Sequence, residues 1–292
     1  MILTINMPED KGVLYQSFRY PAGEVQVRLT EQAMKAYAES DGYEIYIHHV
    51  PDMTELLLLV DALNSIKFPA IRRLYLYYLP YGRADRRFVD GDSLGLRMFF
   101  YMLSLMQFNY IETFDAHNPT AAYQFANEFD IYFVNKPTDT DGFDEFGRYL
   151  KFIKDCNPNL EIAIISPDIG ASKRYSLDRY NLPVLQAGKT RDSKTGKLSG
   201  FYIEDKIKKF DVGLIIDDIC DGGGTFIGLA EEIRKHNPKI KLGLFVSHGI
   251  FSKGIQLLNQ VFDWVFASQY SFRKPKTDPI HPWLNNSGAE KK

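Results

Sequence analysis

The amino-acid sequence predicts an α/β protein built from two units, each a mainly parallel β-sheet flanked by helices. Short runs rich in Ile, Val and Tyr alternate along the chain with helical stretches, which is typical of βαβ units. The 292 residues are enough for one large or two medium domains. A composition of 45% hydrophobic and 25% charged residues is that of an ordinary folded protein with ample material for a core.

The first clear elements of the pattern begin with a predicted strand at residues 43–50. Asp52 and Glu55 then have the spacing of a capping box, in which a helix cap is followed three residues later by a glutamate, and they predict a helix that ends near Ser65. The same alternation predicts a strand at residues 71–79, a helix at 93–106 and a strand at 110–114.

The second half repeats this rhythm. It predicts a helix at residues 143–154, a strand at 160–166, a helix at 171–180, a short strand at 184–186, a strand at 212–216, a helix at 225–235 and a strand at 240–247.

Three stretches lack this periodicity. Residues 135–142 are polar and rich in turn residues, so we place a domain boundary there and predict units at residues 1–138 and 139–292. Residues 188–200 carry several Lys and Arg residues and three glycines, which predicts an exposed, mobile loop. Residues 273–292 are polar and interrupted by prolines, and we expect them to be poorly packed.

Charge and composition exclude several classes of function. Lys and Arg number 35 against 37 Asp and Glu, so neither nucleic acid nor an anionic membrane surface is an expected partner. The longest apolar runs are far shorter than the ~20 residues of a membrane-spanning helix. Cys156 and Cys220 are far apart, which argues against a disulfide framework or a cysteine zinc site. We therefore expect a cytoplasmic protein, in the host cytoplasm if the source is viral.

The strongest chemical signal lies at residues 212–225, where an apolar strand leads through acidic residues and glycines into a helix. Asp217 and Asp218 stand at the carboxyl end of the strand, where a ribose or a hydrated Mg²⁺ could be held. Glycines allow close backbone approach, and the N-terminus of a helix attracts phosphate. The structural alternative is a plain strand-to-helix turn with Asp221 or Thr225 as the helix cap.

This segment resembles the phosphoribosyl-diphosphate loop of type I phosphoribosyltransferases, in which two acids and two variable residues precede Asp-Thr-Gly-Gly-Thr. Gly222 stands where that pattern has its first Thr. Four further segments, in order, resemble ribose-phosphate diphosphokinases: Arg19-Tyr-Pro-Ala-Gly-Glu-Val-Gln-Val-Arg28, Leu79-Pro-Tyr-Gly-Arg-Ala-Asp-Arg-Arg87, Phe114-Asp-Ala-His117 and Ile165-Ser-Pro-Asp-Ile-Gly170. The family's Lys-x-Arg loop has its counterpart in Lys189-Thr-Arg191. Simple transferases lack the first two segments, so the resemblance is specific to the diphosphokinases.

The resemblance implies two type I phosphoribosyltransferase-like domains, the first on the ATP side and the second with the ribose-phosphate loop and a flexible catalytic loop at residues 188–200. It implies transfer of the β,γ-diphosphate of ATP to the C1 hydroxyl of ribose 5-phosphate, with Mg²⁺ as cofactor, in a homo-oligomer (a dimer or a hexamer). By carry-over of the motifs, the catalytic residues are Lys189 and Arg191; the ATP-binding residues are Gly23, Glu24, Arg83, Asp85, Arg87 and His117; the acceptor-binding residues are Asp217, Asp218, Asp221, Gly222, Gly223, Gly224 and Thr225; and the metal ligands are His117 and Asp168.

Taken singly, each of these residues also has an ordinary structural interpretation. A lone histidine after a strand, such as His117, is more often a hydrogen-bonded structural residue than a ligand. Asp168 at a strand end is most often a turn residue or a cap. The arginines at 83, 86 and 87 could form a solvated basic patch, and Lys189 with Arg191 could belong to an ordinary charged loop. The collinear order of the segments favours the functional interpretation.

Departures from the family pattern leave two alternatives open. Ala22 and Ala84 replace polar residues of the family's ATP site, and the family's C-terminal helix and last apolar strand are not recognisable after residue 270. Gly222 lacks the hydroxyl that would face a 5′-phosphate, which motivates ADP-ribose as a larger acceptor whose product could serve to remake NAD. The other alternative is a non-catalytic regulatory homologue, against which the retained Lys189 and Arg191 argue.

Overall fold

The computed structural model describes residues 2–5, 14–48, 50–136, 145–156, 158–168, 170–171, 175, 177–191 and 198–270. The internal contacts divide the chain into two compact units, Met1–Pro137 and Thr138–Lys292. In the part of the chain that is described, no helix is long and apolar enough to cross a membrane.

The first unit is built on a five-stranded sheet in the order β1-β4-β5-β6-β7, in which every pair of neighbours is parallel. Its strands are β1 (Ile2–Ile5), β2 (Tyr15–Arg19), β3 (Val25–Leu29), β4 (Gly42–Ile47), β5 (Ile71–Leu76), β6 (Tyr110–Phe114) and β7 (Phe133–Lys136), and its helices are α1 (Glu31–Ala38), α2 (Met53–Ile66), α3 (Gly95–Leu105) and α4 (Pro119–Glu128). Strands β2 and β3 form a separate antiparallel hairpin.

Local capping fixes the start of α2 as the sequence predicts. The Asp52 carboxylate accepts hydrogen bonds from the backbone N–H groups of Thr54 and Glu55, at 2.9 and 3.3 Å. The Glu55 carboxylate accepts a hydrogen bond from the Tyr15 hydroxyl at 3.0 Å. Because Tyr15 lies on β2, this bond ties the hairpin to α2.

The second unit contains a six-stranded sheet in the order β10-β9-β8-β11-β12-β13, parallel except for the β9–β10 pair. Its elements are α5 (Glu145–Cys156), β8 (Ile162–Ser166), β9 (Val184–Arg191), β10 (Leu198–Ile203), β11 (Val212–Cys220), α6 (Gly224–His236), β12 (Lys241–Gly249), α7 (Gln256–Asn259) and β13 (Trp264–Tyr270). Short 3₁₀ turns occur at Leu177–Tyr180 and Asp205–Lys209.

Apolar packing differs between the sheets. The first sheet buries one face in a single cluster with α2, α3 and α4. The second sheet buries both faces, because Ile215 belongs to the cluster that contains α6 and Ile216 to the cluster that contains α5. The predicted α/β class with mainly parallel sheets is confirmed.

Several elements differ from the sequence-based expectation. The predicted loop at residues 188–200 begins and ends inside strands, because β9 continues to Arg191 and pairs with β10. Residues 192–197 of that loop and the predicted tail at 273–292 lie outside the described residues. In the predicted helix at 171–180, residues 177–180 form a 3₁₀ turn, and 172–174 and 176 lie outside the described residues. The hairpin β2–β3, helices α1 and α4, and strands β1, β7, β10 and β13 were not predicted.

Candidate active site

The carboxyl ends of β8 and β11 are neighbours in the second sheet, and the order of the strands reverses between them. From β8 the chain continues to β9 on one side, and from β11 it continues to β12 on the other. Ligands of open α/β sheets bind in the crevice outside such a switch point. Asp168 follows β8, whereas Asp217 and Asp218 lie near the end of β11, so the structure brings these predicted residues to one edge of the sheet.

Asp217 and Asp218 form a tightly coupled acidic pair. Asp218 is only 5% exposed, and the Asp217 carboxylate accepts a hydrogen bond from the Asp218 backbone N–H at 2.9 Å. Burial raises the pKa of Asp217 well above its ordinary value, the negative charge of Asp218 raises it further, and Asp168 adds to the shift. Hydroxyl donors or a cation would relieve this concentration of negative charge, which suits the pair to holding ribose hydroxyls or a metal.

The loop after β11 leaves the N-terminus of α6 open. Gly223 is the N-cap residue with φ +75°, a left-handed conformation that favours glycine, and none of the described side chains caps the helix. Neither Asp221 nor Thr225 therefore acts as the cap that the structural alternative required. The first N–H groups of α6 and the helix dipole are available to an anion beside Gly224 and Thr225.

Cys220 precedes this loop and is not a candidate nucleophile. Burial and the charges of Asp217 and Asp221 raise the pKa of its thiol to about 12. A thiol of that kind stays protonated at neutral pH.

Asp168 has both a structural contact and a place at the site. Its carboxylate accepts a hydrogen bond from the Ala171 backbone N–H at 3.0 Å, and its backbone carbonyl accepts one from the Ser166 hydroxyl at 2.8 Å. The side chain is nevertheless exposed. His117 belongs to the first unit, so its pairing with Asp168 in a metal site stays a prediction. Within the described ranges, no cluster of three His, Cys, Asp or Glu residues could hold a metal ion unaided.

Lys189 and Arg191 lie in strand β9 rather than in a loop. Lys189 is exposed and stands opposite Phe201 of β10, and Arg191 stands opposite Leu198. The ring of Tyr202 covers Gly188 so closely that a Cβ there would come within 2.4 Å of it. This close packing requires glycine and fixes the base of the hairpin that carries Lys189.

In the first unit, Gly23 and Glu24 form the turn of the β2–β3 hairpin. Gly23 has φ +96°, and the Tyr20 backbone N–H donates to the Glu24 carbonyl at 2.9 Å. The Arg19 guanidinium donates to the Gly23 carbonyl at 3.0 Å and pairs with Asp52 at 2.9 Å. The predicted ATP-binding turn is thus tied to the N-terminus of α2, while both of its residues are exposed.

The loop after β5 surrounds a cavity of about 400 Å³. Arg83 is exposed and lines this cavity together with Tyr78, Tyr81, Ala84, Arg86, Phe88, Asp92 and Ser93. The Arg87 guanidinium donates to the Asp92 backbone carbonyl at 3.0 Å, and the Asp92 carboxylate accepts from the N–H groups of Phe88 and Val89. Within the described residues no hydrogen bond or ion pair engages Arg83, so its guanidinium can face a ligand, whereas Arg87 closes the loop on itself.

Asn118 is a site residue that the sequence interpretation missed. Its amide donates to the Asp85 carboxylate at 2.6 Å, and its carbonyl oxygen accepts from the Ala121 N–H as the cap of α4, at 3.1 Å. Asp85 and the segment that contains His117 are thereby joined, and a Cβ on Gly82 would lie 3.5 Å from the His117 Cβ. The Asn-Pro dipeptide at the start of a helix was the available signal.

The chain is similar over most of its length to curated ribose-phosphate pyrophosphokinases. It is 29% identical to that of Thermococcus kodakarensis over 238 residues, 81% of this chain and 78% of the relative. It is 28% identical to that of Pyrococcus abyssi over 246 residues, 81% and 76% of the two chains, and 26% identical to that of Mycoplasmopsis pulmonis over 255 residues, 80% and 72%. No protein-family model matches the chain.

Among solved structures, the phosphoribosylpyrophosphate synthetase of Mycobacterium smegmatis matches with a TM-score of 0.71. The match covers 91% of this chain and 87% of the other, at 19% sequence identity. The predicted architecture of two phosphoribosyltransferase-type domains is confirmed by this likeness of fold.

Proposed function

Because this chain is a divergent member of the ribose-phosphate pyrophosphokinase family, we propose that it transfers the β,γ-diphosphate of ATP to the anomeric hydroxyl of ribose 5-phosphate. The products would be phosphoribosyl diphosphate and AMP. The observation that carries the proposal is the acidic pair at the switch point, which leads directly into an uncapped helix N-terminus. The carboxylates would accept hydrogen bonds from the ribose hydroxyls, and the N–H groups that follow them would bind the phosphate. The acceptor carries its hydroxyls and its 5′-phosphate in the same order.

The acceptor would bind across the end of β11. Asp217 and Asp218 would accept hydrogen bonds from the ribose hydroxyls, and the N–H groups between Asp221 and Thr225 would donate to the 5′-phosphate. Because Asp218 is buried and fixed in place, its orientation costs little further entropy when the ribose binds.

Diphosphate transfer would proceed by in-line attack of the C1 oxygen on the β-phosphorus. A bond forms between that oxygen and the β-phosphorus, the bond to the bridging oxygen of AMP breaks, and the C1 hydroxyl loses its proton. Lys189 and Arg191 would stabilise the negative charge that grows on the transferred group. The exposure of Lys189 supports this role, because its ammonium can reach a ligand.

The ATP side of the reaction belongs to the first unit. Arg83 lines an open cavity, and Asp85 is fixed by Asn118. Glu24 and Gly23 present an exposed turn, and we place the nucleotide against these groups and His117. Arg87 would support ATP binding indirectly. Its guanidinium donates a hydrogen bond to the backbone of the loop and so holds the conformation of that loop.

Mg²⁺ fits the chemistry of these donors. Exposed Asp168 and the charge-rich pair beside it offer hard oxygen ligands, and Mg²⁺ is usually held by one or two carboxylates together with substrate phosphates. When bound, the ion would neutralise phosphate charge and make the β-phosphorus more electrophilic. We propose Asp168 as a metal ligand in the second unit and His117 as a metal ligand in the first.

ADP-ribose is the second candidate acceptor, and Gly222 is the observation that favours it. A threonine hydroxyl at this position would donate to a terminal phosphate dianion, whereas the 5′-phosphate of ADP-ribose is part of a diphosphate linkage and needs fewer donors. The same transfer would then give an ADP-ribose diphosphate.

The test is an assay for conversion of ATP to AMP with ribose 5-phosphate, with ADP-ribose and without acceptor, in the presence of Mg²⁺. Mass spectrometry of the acceptor should show the gain of one diphosphate group, and Lys189→Ala controls for contaminating activity. Turnover of ribose 5-phosphate supports the main proposal, and turnover of ADP-ribose alone supports the second candidate. If neither acceptor gains a diphosphate, the enzyme proposal is wrong and a regulatory homologue takes its place.

A further inference from the structure

We propose that Lys253 binds the 5′-phosphate of the acceptor. Its positive charge would replace the hydrogen bond that a threonine hydroxyl at position 222 would make to that phosphate. The inference rests on the proposed function, because it assigns an acceptor phosphate to the loop between Asp221 and Thr225. It adds a binding residue that lies outside all the motifs identified in the sequence.

The side chain of Lys253 lies directly over Gly222. A Cβ built on Gly222 would be 3.4 Å from the Lys253 Cε, 3.5 Å from its Cδ and 3.7 Å from its Cγ. The whole outer stem of the lysine therefore occupies the space beside this glycine. Because Nζ is bonded to Cε, the Lys253 atom nearest to a Cβ on Gly222, the ammonium group lies close to the phosphate loop.

The backbone holds Lys253 in this place. The N–H groups of Ile250 and Phe251 donate to the Cys220 carbonyl, at 2.8 and 3.1 Å. Phe251 is buried, and its carbonyl accepts from the Gly254 N–H at 2.7 Å, which closes the turn around Lys253. The turn that carries the lysine is thus anchored to the residue just before the phosphate loop.

The charge of Lys253 is available to a ligand. Lys253 is exposed, and no hydrogen bond or ion pair engages its ammonium within the described residues. The uncapped N-terminus of α6 lies in the same loop and attracts the same kind of group. A cation and free N–H groups at one place select an anion with several oxygens, such as a phosphate.

Lysine suits an acceptor with either form of 5′-phosphate. Its ammonium is a compact charge on a flexible stem, and it does not require one fixed geometry of the acceptor oxygens. The loop can therefore bind a terminal phosphate or the first phosphate of a diphosphate linkage through the same residue.

The test measures binding of ribose 5-phosphate and of ADP-ribose to the whole 292-residue chain by calorimetry with Mg²⁺ present. Lys253→Met keeps the stem that covers Gly222 and removes the charge, so we expect binding of at least one probe to weaken by about ten- to hundredfold, the usual value of a hydrogen bond to a charged group. Lys253→Arg should retain most of the affinity. Lys239→Met, at an exposed lysine on the opposite edge of the sheet, should leave binding unchanged.

Kinetics separate this assignment from the proposed reaction. With an active acceptor, Lys253→Met should raise the KM for that acceptor and leave the KM for ATP near the wild-type value. Binding by Lys253→Met as tight as in the wild type, or no binding of either probe by the wild type, would overturn the assignment. Loss of binding in Lys253→Met without diphosphate transfer by the wild type would support Lys253 as a phosphate ligand and reject the proposed reaction.

Discussion

The two sheets of this molecule bury their residues in different ways. In β5 of the first sheet, Leu74 is fully buried while its neighbour Tyr75 remains partly exposed. In β11 of the second sheet, Ile215 and Ile216 are both fully buried. The first sheet thus has one apolar face and one mixed face, whereas the second is apolar on both.

Strand order explains this difference. In the first sheet each crossover moves to the next strand in the same direction, and because crossovers are right-handed their helices fall on one face. In the second sheet the chain leaves β8 and β11 in opposite directions, so connecting segments cover both faces, and the carboxyl ends of these two strands form a switch point of the kind at which α/β proteins bind ligands. Two-sided burial and the switch point with Asp168 and Asp217 therefore have one topological origin.

The largest expected effect tests this contrast in burial. Ile215→Ala and Ile216→Ala should each lower the free energy of unfolding by about 2–5 kcal/mol, because each leaves a cavity in a separate core. Leu74→Ala should cost a similar amount, whereas Tyr75→Ala should cost only about 1 kcal/mol, the loss of its ring contacts.

Urea denaturation measures these costs, and hydrogen exchange assigns each of them to one unit. A Tyr75→Ala cost equal to that of Leu74→Ala would mean that the mixed face is covered in solution, for instance by a second copy of the chain.

The next effect tests whether the second unit supplies the catalytic cation. Lys189→Ala should lower kcat by about 10²–10³-fold, because the ammonium would act mainly on charge that develops in the transition state. The KM for ATP should change far less. Lys206→Ala, an exposed lysine of the same unit, is the control in steady-state assays. Near-normal kcat in Lys189→Ala would remove that residue from the catalytic role.

A smaller effect is expected in the first unit. Asn118→Ala removes the hydrogen bond to Asp85 and the cap of α4, and should raise the KM for ATP by about tenfold with little change in the KM for the acceptor. Asn127→Ala, at an exposed position on the same helix, is the matched control. An equal rise in both KM values would contradict the assignment of this loop to ATP.

The smallest effect is a pH dependence of stability in the second unit. The pKa of Asp217 is raised in the folded protein, so the folded state holds its proton more tightly than the unfolded chain, whose ordinary value is 3.8. The wild type therefore loses stability as the pH rises above that value. Asp217→Asn lacks this loss and should be more stable than the wild type at neutral pH, with the gain vanishing below pH 3.8.

Thermal melts at both pH values, with a chelator present, measure the gain. Glu231→Gln, at an exposed carboxylate on α6, controls for the change in net charge. A gain in Asp217→Asn that does not depend on pH would contradict the raised pKa.

Local sequence patterns were sufficient to predict the features that depend on residues close together in the sequence. The strand at residues 110–114 and the Asp52 cap of α2 follow from periodicity and capping alone. The acidic pair was placed just after a strand predicted at residues 212–216, but β11 continues through both acids to Cys220, because Asp217, Ile219 and Cys220 still pair with β12. The motifs also gave the order of the candidate residues along the chain.

The features that were not predicted depend on contacts between residues far apart in the sequence. The hairpin that carries Lys189 depends on pairing with Phe201, Tyr202 and Ile203, whose β-forming side chains were a signal that the interpretation did not use. The position of Lys253 over Gly222 depends on backbone bonds to Cys220 from a distant turn, and no local pattern encodes it. The switch point itself exists only once β8 has paired with β11.

The mixed face of the first sheet has a further consequence, for spectroscopy. Tyr46, Tyr75, Tyr110 and Tyr132 form a row across the strands, with successive ring centres 4.4, 5.8 and 5.8 Å apart. Both tryptophans of the chain, Trp264 and Trp283, belong to the second half. Trp264 lies in β13, so its emission reports on the second unit, while the closely packed tyrosines contribute a near-ultraviolet circular dichroism signal from the first unit. One unlabelled sample can thus reveal which unit melts first.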